Sequence, residues 1–201
     1  MRSICWPREP QRPSRSGLIG SRRRQAALRV RLESPSLTRE REFLEASRRS
    51  HASLRRWVRP PLTAPGYRAY LRRLRGPAHE GHFVVLRSSG DLVGVVNLSE
   101  IVRGALQGAY LGYYAFAPHA GRGYMSEALR LVLGRAFGEL GLHRVEANIQ
   151  PGNTASRALV RRLGFRREGF SPRYLKVAGR WRDHERWALL ADDWSRGRSR
   201  P

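Results

Sequence analysis

Apolar positions recur along most of this 201-residue chain at two spacings, and the switches between them predict its elements. "LRVRLESP" alternates and reads as a first strand ending at Pro35. Residues 38–58, "TREREFLEASRRSHASLRRWV", have helical spacing, with Thr38 as the cap and Phe43, Leu44, Leu54, Trp57 and Val58 on the buried side. A proline-rich break at 60–65 separates it from a second helix over Tyr67–Arg75. Strand spacing then takes over. "HFVVLRS", a Gly90-Asp91 turn and "LVGVVNLSEIV" form a hairpin, and "GAYLGYYAFA" adds a third strand that stops at Pro118.

Helical spacing returns over Ser126–Leu140, where Leu129, Val132, Leu133, Ala136, Phe137 and Leu140 share a face and Gly141 ends the helix. "HRVEANIQ" is a strand, "NTASRALVRRLG" a helix stopped by Gly164, and "RYLKVAGRWRDHERWALL" a final hairpin turning at Ala178-Gly179. This order predicts one mixed α/β domain over residues 27–195. Residues 1–26 show no periodicity and are expected to form a basic, disordered extension, with 196–201 a disordered tail.

Composition narrows the class. Hydrophobic residues make up 40% of the chain, enough for a core. Cys5 is the sole cysteine, which leaves no disulfide framework or cysteine metal cluster and suits a reducing, cytoplasmic setting. No apolar run approaches the roughly 20 residues of a membrane span, so no membrane partner is expected. The formal charge is +23, from 39 Lys+Arg against 16 Asp+Glu, and Lys176 is the sole lysine. A surface this basic attracts polyanions, ribosomal RNA included, although an arginine bias of the genome would give the same ratio.

The chemistry gathers at "AFAPHAGRGYMSEALRLVLGRAFGELG", Ala115–Gly141. Gly121 and Gly123 stand one residue apart just before a long apolar helix. Glycines there let the backbone reach a ligand without a Cβ in the way, and the unpaired N–H groups of the helix start would suit a pyrophosphate. Arg122 adds a positive charge. The loop is neither a Walker loop nor G-x-G-x-x-G, because Tyr124 and Met125 follow, and ordinary turn glycines are the competing reading.

The succession "NLSEIVRGALQGAYLGYYAF", "HAGRGYMSEALR", "GLHRVEANIQPGNTASRALVRRLGF" and "YLKVAGRWRDHERWALLADDW" resembles the GCN5-related N-acetyltransferase (GNAT) superfamily. Within it the chain is most similar to the RimJ-type ribosomal-protein-alanine N-acetyltransferases, over residues 28–195. The superfamily loop pattern Q/R-x-x-G-x-G/A begins here with Ala120 and ends with Met125. The resemblance implies a mixed sheet of about six to seven strands, flanked by helices and splayed between the fourth and fifth strands to admit coenzyme A. It also implies acetyl-coenzyme A as cosubstrate, with no metal. The pyrophosphate would lie on Gly121, Arg122, Gly123, Tyr124, Met125 and Ser126, and Asn153 would contact the pantetheine arm. The thioester carbonyl would take a backbone N–H from Tyr114–Ala117, which includes Phe116 and Ala117, and Gly112 suits a close backbone approach.

Acetyl transfer to an amine needs a base for the ammonium and an acid for the leaving thiolate. The resemblance puts Ser156 near the sulfur as proton donor, while the residues alone also allow Asn153 or Thr154 as a simple helix cap. Glu146, Asn148 and Gln150 alternate onto one face of their strand, which makes Glu146 a candidate base and Asn148 a candidate acceptor contact. Glu100 is the second candidate base, with a water chain as the alternative, and Asp183 could orient an incoming amine. His143 and His184 read as structural, and Trp181 and Trp187 as core. The resemblance implies the N-terminal α-amine of a ribosomal protein (the S-five type) as acceptor. Small amines such as an antibiotic or polyamine, or a non-catalytic ribosome-associated role, remain alternatives. A monomer or weak dimer is expected, with ribosome association through the basic surface.

Overall fold

The computed structural model describes residues 28–198, so the expected extension at 1–26 lies outside the described residues. Seven strands form one sheet: β1 (Val30–Glu33), β2 (His79–Leu86), β3 (Leu92–Val102), β4 (Gly108–Ala115), β5 (Arg144–Ile149), β6 (Arg166–Val177) and β7 (Arg180–Leu190). Their order is β1-β2-β3-β4-β5-β7-β6. Neighbours are antiparallel except β4 and β5, which run parallel for only Gly108↔Arg144, Ala109↔Val145 and Tyr110↔Glu146. Beyond Tyr110 the pairing stops although both strands continue. The expected splay between the fourth and fifth strands is therefore present.

The helices are α1 (Glu40–Arg49), α2 (His51–Leu54), α3 (Ala64–Leu74), α4 (Tyr124–Gly138), α5 (Thr154–Arg162) and α6 (Ala191–Arg198). They cover the sheet's two faces with separate cores. On one face α4 and α5 bury Leu129, Val132, Leu133, Ala136, Leu159 and Val160 against Val96, Leu98, Leu111, Val145, Ala147 and Ile149. On the other, α1 and α3 bury Phe43, Leu44, Tyr67 and Tyr70 against Phe83, Val85, Val95 and Phe116. Each fully buried Leu, Val or Phe side chain contributes about 1.5–3 kcal/mol. A bulge in β3 opposite Val84 lets Leu92 serve the second core and Val93 the first. Gly94 sits at this bulge, and a Cβ there would come within 2.4 Å of the Tyr114 carbonyl oxygen, so β3 and β4 meet there only because Gly94 has no side chain.

Four expectations need correction. The single helix over 38–58 is instead a 3-10 turn at Leu37–Arg39 followed by α1 and α2. The break falls at buried Ser50, whose Oγ accepts a hydrogen bond from the Ala117 N–H at 2.9 Å, and Thr38 lies inside the turn rather than at its cap. The second helix starts earlier, at Ala64, because Thr63 caps it through Gly66 N–H at 3.3 Å. Trp187 is core, but Trp181 is 60% exposed, since it lies beside the β6–β7 turn past the helix-covered part of the sheet. Finally, α6 carries helical structure to Arg198, beyond the expected boundary at 195.

Candidate active site

Where β4 and β5 part, a cavity of about 600 Å³ opens between them. Leu111–Ala115 line it from β4, and Ala147–Ile149 with Gln150 line it from β5. The glycine loop with the start of α4 also lines it, as do Ser53, Leu54, Trp57 and Val58.

Backbone alternation decides which main-chain groups face the cavity. Phe116 N–H donates to Val93 O at 2.7 Å, so Phe116, Tyr114 and Gly112 turn their N–H and C=O toward β3. Tyr113 and Ala115 therefore point theirs across the splay, where β5 no longer answers them. These two N–H groups can serve a carbonyl in the cleft. Within the expected Tyr114–Ala117 range, Phe116 N–H is taken by Val93 and Ala117 N–H by Ser50, which leaves Ala115 facing the cleft, with Tyr113 just outside the range beside it.

Gly121 (φ 78°) and Gly123 (φ 83°) both adopt the left-handed conformation, and Gly123 caps α4 with no side-chain hydrogen bond. In the first turn of α4 the Ser126 N–H donates to Gly123 O at 3.0 Å, which leaves those of Tyr124 and Met125 as the open donors at the positive end of its dipole. A Cβ at Gly121 or Gly112 would meet nothing within 4 Å, which is the open space of the cleft. Arg29 straps the loop from outside. Its backbone N–H and Nε donate to Glu127 at 2.8 and 2.6 Å, its Nη2 donates to Arg122 O at 3.2 Å, and its guanidinium lies 4.7 Å from the Tyr124 ring centre. Tyr124, Met125 and Ser126 line the cavity and Arg122 is exposed between the two lining glycines. Arg162, at the end of α5 and not singled out from the sequence, places a guanidinium in the lining itself.

α5 supplies the polar wall. Asn153 Oδ1 accepts from Ser156 N–H at 3.1 Å, so Asn153 is the helix cap, and both residues line the cavity. Ser156 Oγ and Tyr113 Oη lie 2.6 Å apart. Burial raises the Tyr113 phenol to about 12, with the Ser156 contact pulling the other way, so Tyr113 keeps its proton at neutral pH. Tyr113 was missed because its strand position alone reads as core; its partner on α5 is set only by the fold.

The carboxylates fare differently. Glu100 is exposed on a β3 bulge at φ 50°, Glu146 forms an ion pair with Arg144 at 2.8 Å, and Asp183 Oδ1 accepts from Arg173 N–H at 2.7 Å. None of the three lines the cavity. Among the described residues its lining holds no carboxylate at all, and no cluster able to hold a metal ion occurs. Asn148 does line it, with a buried Oδ1 that has no partner, and so does His184, read from the sequence as structural. Glu100→Gln is expected to leave acetylation within about twofold of the parent across pH, as for surface changes away from a site; a thiol-release pH profile checks this.

Residues 29–166 match the acetyltransferase (GNAT) domain family. The chain is 44% identical over 115 residues to a Bacillus subtilis protein named "Probable N-acetyltransferase YjcK", covering 57% of this chain and 64% of that one. It is 41% identical over 108 residues to the [ribosomal protein uS5]-alanine N-acetyltransferase of Escherichia coli, covering 54% of this chain and 56% of that one. The chain thus spans less than two thirds of the length of either relative. Among solved structures it is similar to Mycobacterium smegmatis RimJ in complex with CoA-disulfide, at TM-score 0.74 and 29% identity over 82% of this chain and 83% of that one. Spermidine N-acetyltransferase from Vibrio cholerae shares the fold at TM-score 0.71 with 18% identity, covering 83% of this chain and 98% of that one.

Proposed function

We propose that this chain, which belongs to the GNAT acetyltransferases, moves an acetyl group from acetyl-coenzyme A to the N-terminal α-amine of a protein, an alanine-start ribosomal protein first among its acceptors. The observation that carries the reading is the cleft between β4 and β5, bordered by the glycine loop and lined, among the described residues, without a carboxylate. Such a donor set fits a diphosphate: N–H groups at a helix start and two left-handed glycines with Arg122 between them, while Arg162 adds a cation elsewhere in the lining. A polyamine acceptor would want acidic lining to match its several charges, and this cleft has none among the described residues.

When bound, acetyl-coenzyme A supplies the activated acyl group. Gly121–Met125 would hold its diphosphate and the Tyr113 and Ala115 N–H groups would polarise the acyl carbonyl. Asn153 would fix the pantetheine arm by the face it leaves free. Ser156, with its hydroxyl held by the protonated Tyr113, would donate a proton to the departing sulfur. The carboxylate-free lining admits a single ammonium without attracting polycations, and the basic exterior suits an acceptor delivered at ribosomal RNA in the cytoplasm.

The test is thiol release from acetyl-coenzyme A with an alanine-start peptide, the same peptide already N-acetylated, and spermidine. Turnover with the free peptide alone is expected. Turnover with spermidine and not the peptide would move the acceptor to small amines, and no turnover with any amine would leave a coenzyme-A-binding, ribosome-associated protein. Ser156→Ala should lower kcat about 100-fold and Tyr113→Phe about tenfold, both without weakening coenzyme A binding, as expected for loss of a proton donor and of its holder.

A further inference from the structure

Acyl transfer to an ammonium requires a proton acceptor, and every carboxylate singled out from the sequence lies outside the cleft. What the cleft does hold is two imidazoles, His119 in the loop before α4 and His184, which is 3% exposed on β7 and shares a sheet face with Asn148. The His184 Nδ1 lies 2.9 Å from the Arg182 carbonyl oxygen. A carbonyl can only accept, so Nδ1 carries the proton and Nε2 keeps its lone pair. Asn148 on β5 pairs with Arg186 on β7, which puts Asn148 and His184 diagonally on one face of adjacent antiparallel strands. The buried Asn148 Oδ1 lines the same cavity and has no partner. A buried acceptor with no partner, on one face of adjacent strands with an imidazole nitrogen that keeps its lone pair, is what an N–H-rich cation would satisfy.

We propose that His184 is the general base of this enzyme, its Nε2 taking a proton from the acceptor's α-ammonium while Asn148 Oδ1 holds the nitrogen. The proposal rests on the amine-acetylation reading above. In the step, one N–H bond of the ammonium breaks, its electron pair stays on nitrogen as the attacking lone pair, and the proton bonds to Nε2. The resulting imidazolium returns that proton to solvent. The second proton lost as the amide forms balances the one Ser156 gives to sulfur.

The surroundings favour a neutral ring at rest. Burial lowers the His184 pKa from its ordinary value, opposed in part by the hydrogen bond to the Arg182 carbonyl and then by the Asp183 charge. On β6 the Tyr174 ring meets it edge-on at 6.2 Å. On its own strand Arg186 follows on the same face, on β5 Asn148 and Gln150 are uncharged, and Arg162 reaches the cavity from α5. Ser53 and Trp57 on the α2 side carry no charge.

The experiment compares the full-length parent with His184→Gln, using acetyl-coenzyme A and an alanine-start peptide between about pH 6 and 9.5. The variant should lose about 100-fold in kcat near pH 7 and come within about fivefold near pH 9.5, where the peptide amine, with a pKa of about 8, is already neutral. A variant as fast as the parent at pH 7, or slowed equally at every pH, overturns the proposal. As a measurement independent of turnover, the imidazole Cε1–H resonance of His184 in the parent is followed by NMR as the peptide is added without acetyl-coenzyme A. It should shift with the free peptide and not with its N-acetylated form; no shift with the free peptide overturns the proposal. If the parent acetylates no amine, the acetylation reading falls while this resonance still decides whether His184 meets an ammonium.

Discussion

Glu185→Ala should cost about 3 kcal/mol of stability, the lower end of the range for breaking a buried ion pair. Glu185 is 5% exposed on β7 and faces Arg157 Nε at 3.0 Å, Arg167 Nε at 3.5 Å and the Trp187 indole N–H at 3.0 Å. Removing its carboxylate strands the indole donor and two guanidinium groups at once. Both arginines keep part of their side chains in water, which holds the loss below the upper end of that range. A fall in Tm of roughly 6–12 °C follows for a domain of this size. The consequence reaches the site, because Arg157 also donates to Pro151 O at 3.1 Å and so ties the β5–α5 loop and the first turn of α5 to β7. Asn153 and Ser156 ride on that turn. Coenzyme A affinity should therefore drop with the stability, and Glu185→Gln, which keeps the indole bond, should lose clearly less of both; thermal melts and titration calorimetry on the two variants check this.

Gly123→Val should weaken coenzyme A binding by about 10- to 100-fold. The residue holds φ 83° as the cap of α4, where a β-branched side chain costs on the order of 1–3 kcal/mol. Its Cβ would also stand 3.2 Å from Arg29 Nη2, crowding the strap that fixes the loop. The chain escapes the strain by turning the loop, and that turn takes the first N–H groups of α4 off their common target. Gly141→Val is the control: at φ 60° with nothing within 4 Å of a Cβ, it carries the same kind of backbone strain far from the loop. Both variants should lose comparable stability in thermal melts, and only Gly123→Val should lose affinity by calorimetry. Equal affinity in the two would mean that the loop does not carry the diphosphate.

The expectations that held share a physical basis in local chain properties. Leu129, Val132, Leu133 and Ala136 recur at the helical period because one face of α4 must be covered, and all four are buried. Gly121, Gly123 and Gly179 sit where left-handed backbone is needed, so the loop and the last hairpin were legible residue by residue. Asn153 before "TAS" is a helix cap by its own chemistry, whatever else it does. Those are short-range effects, and a single chain segment carries them whole.

The candidate carboxylates that lie outside the cleft share the opposite basis. Glu100 was placed on a plain strand, but the β3 bulge turns it into solvent; the bulge depends on how β3 pairs with β4. Glu146 sits on the anticipated face, yet Arg144, two positions along the same strand, claims its carboxylate. Asp183 is consumed by the backbone of Arg173, where β6 bulges against β7. A titratable side chain is free for chemistry only if no neighbour satisfies it, and that depends on residues far away in the chain.

By itself, then, the order of residues determined the strands and helices of the mixed fold and the glycine loop, since periodicity, turn preference and helix capping all act within a few residues; the family was legible only as a resemblance of its motifs. Which polar groups face the cleft was decided by tertiary structure alone. β4 turns Tyr113 rather than Phe116 toward it, β7 brings His184 onto the face of Asn148, and outside it Glu146 is spent on Arg144, Asp183 on backbone, and Glu100 lies in solvent. Strand parity and cross-strand register place those groups, and register is a property of paired strands, which no single segment possesses.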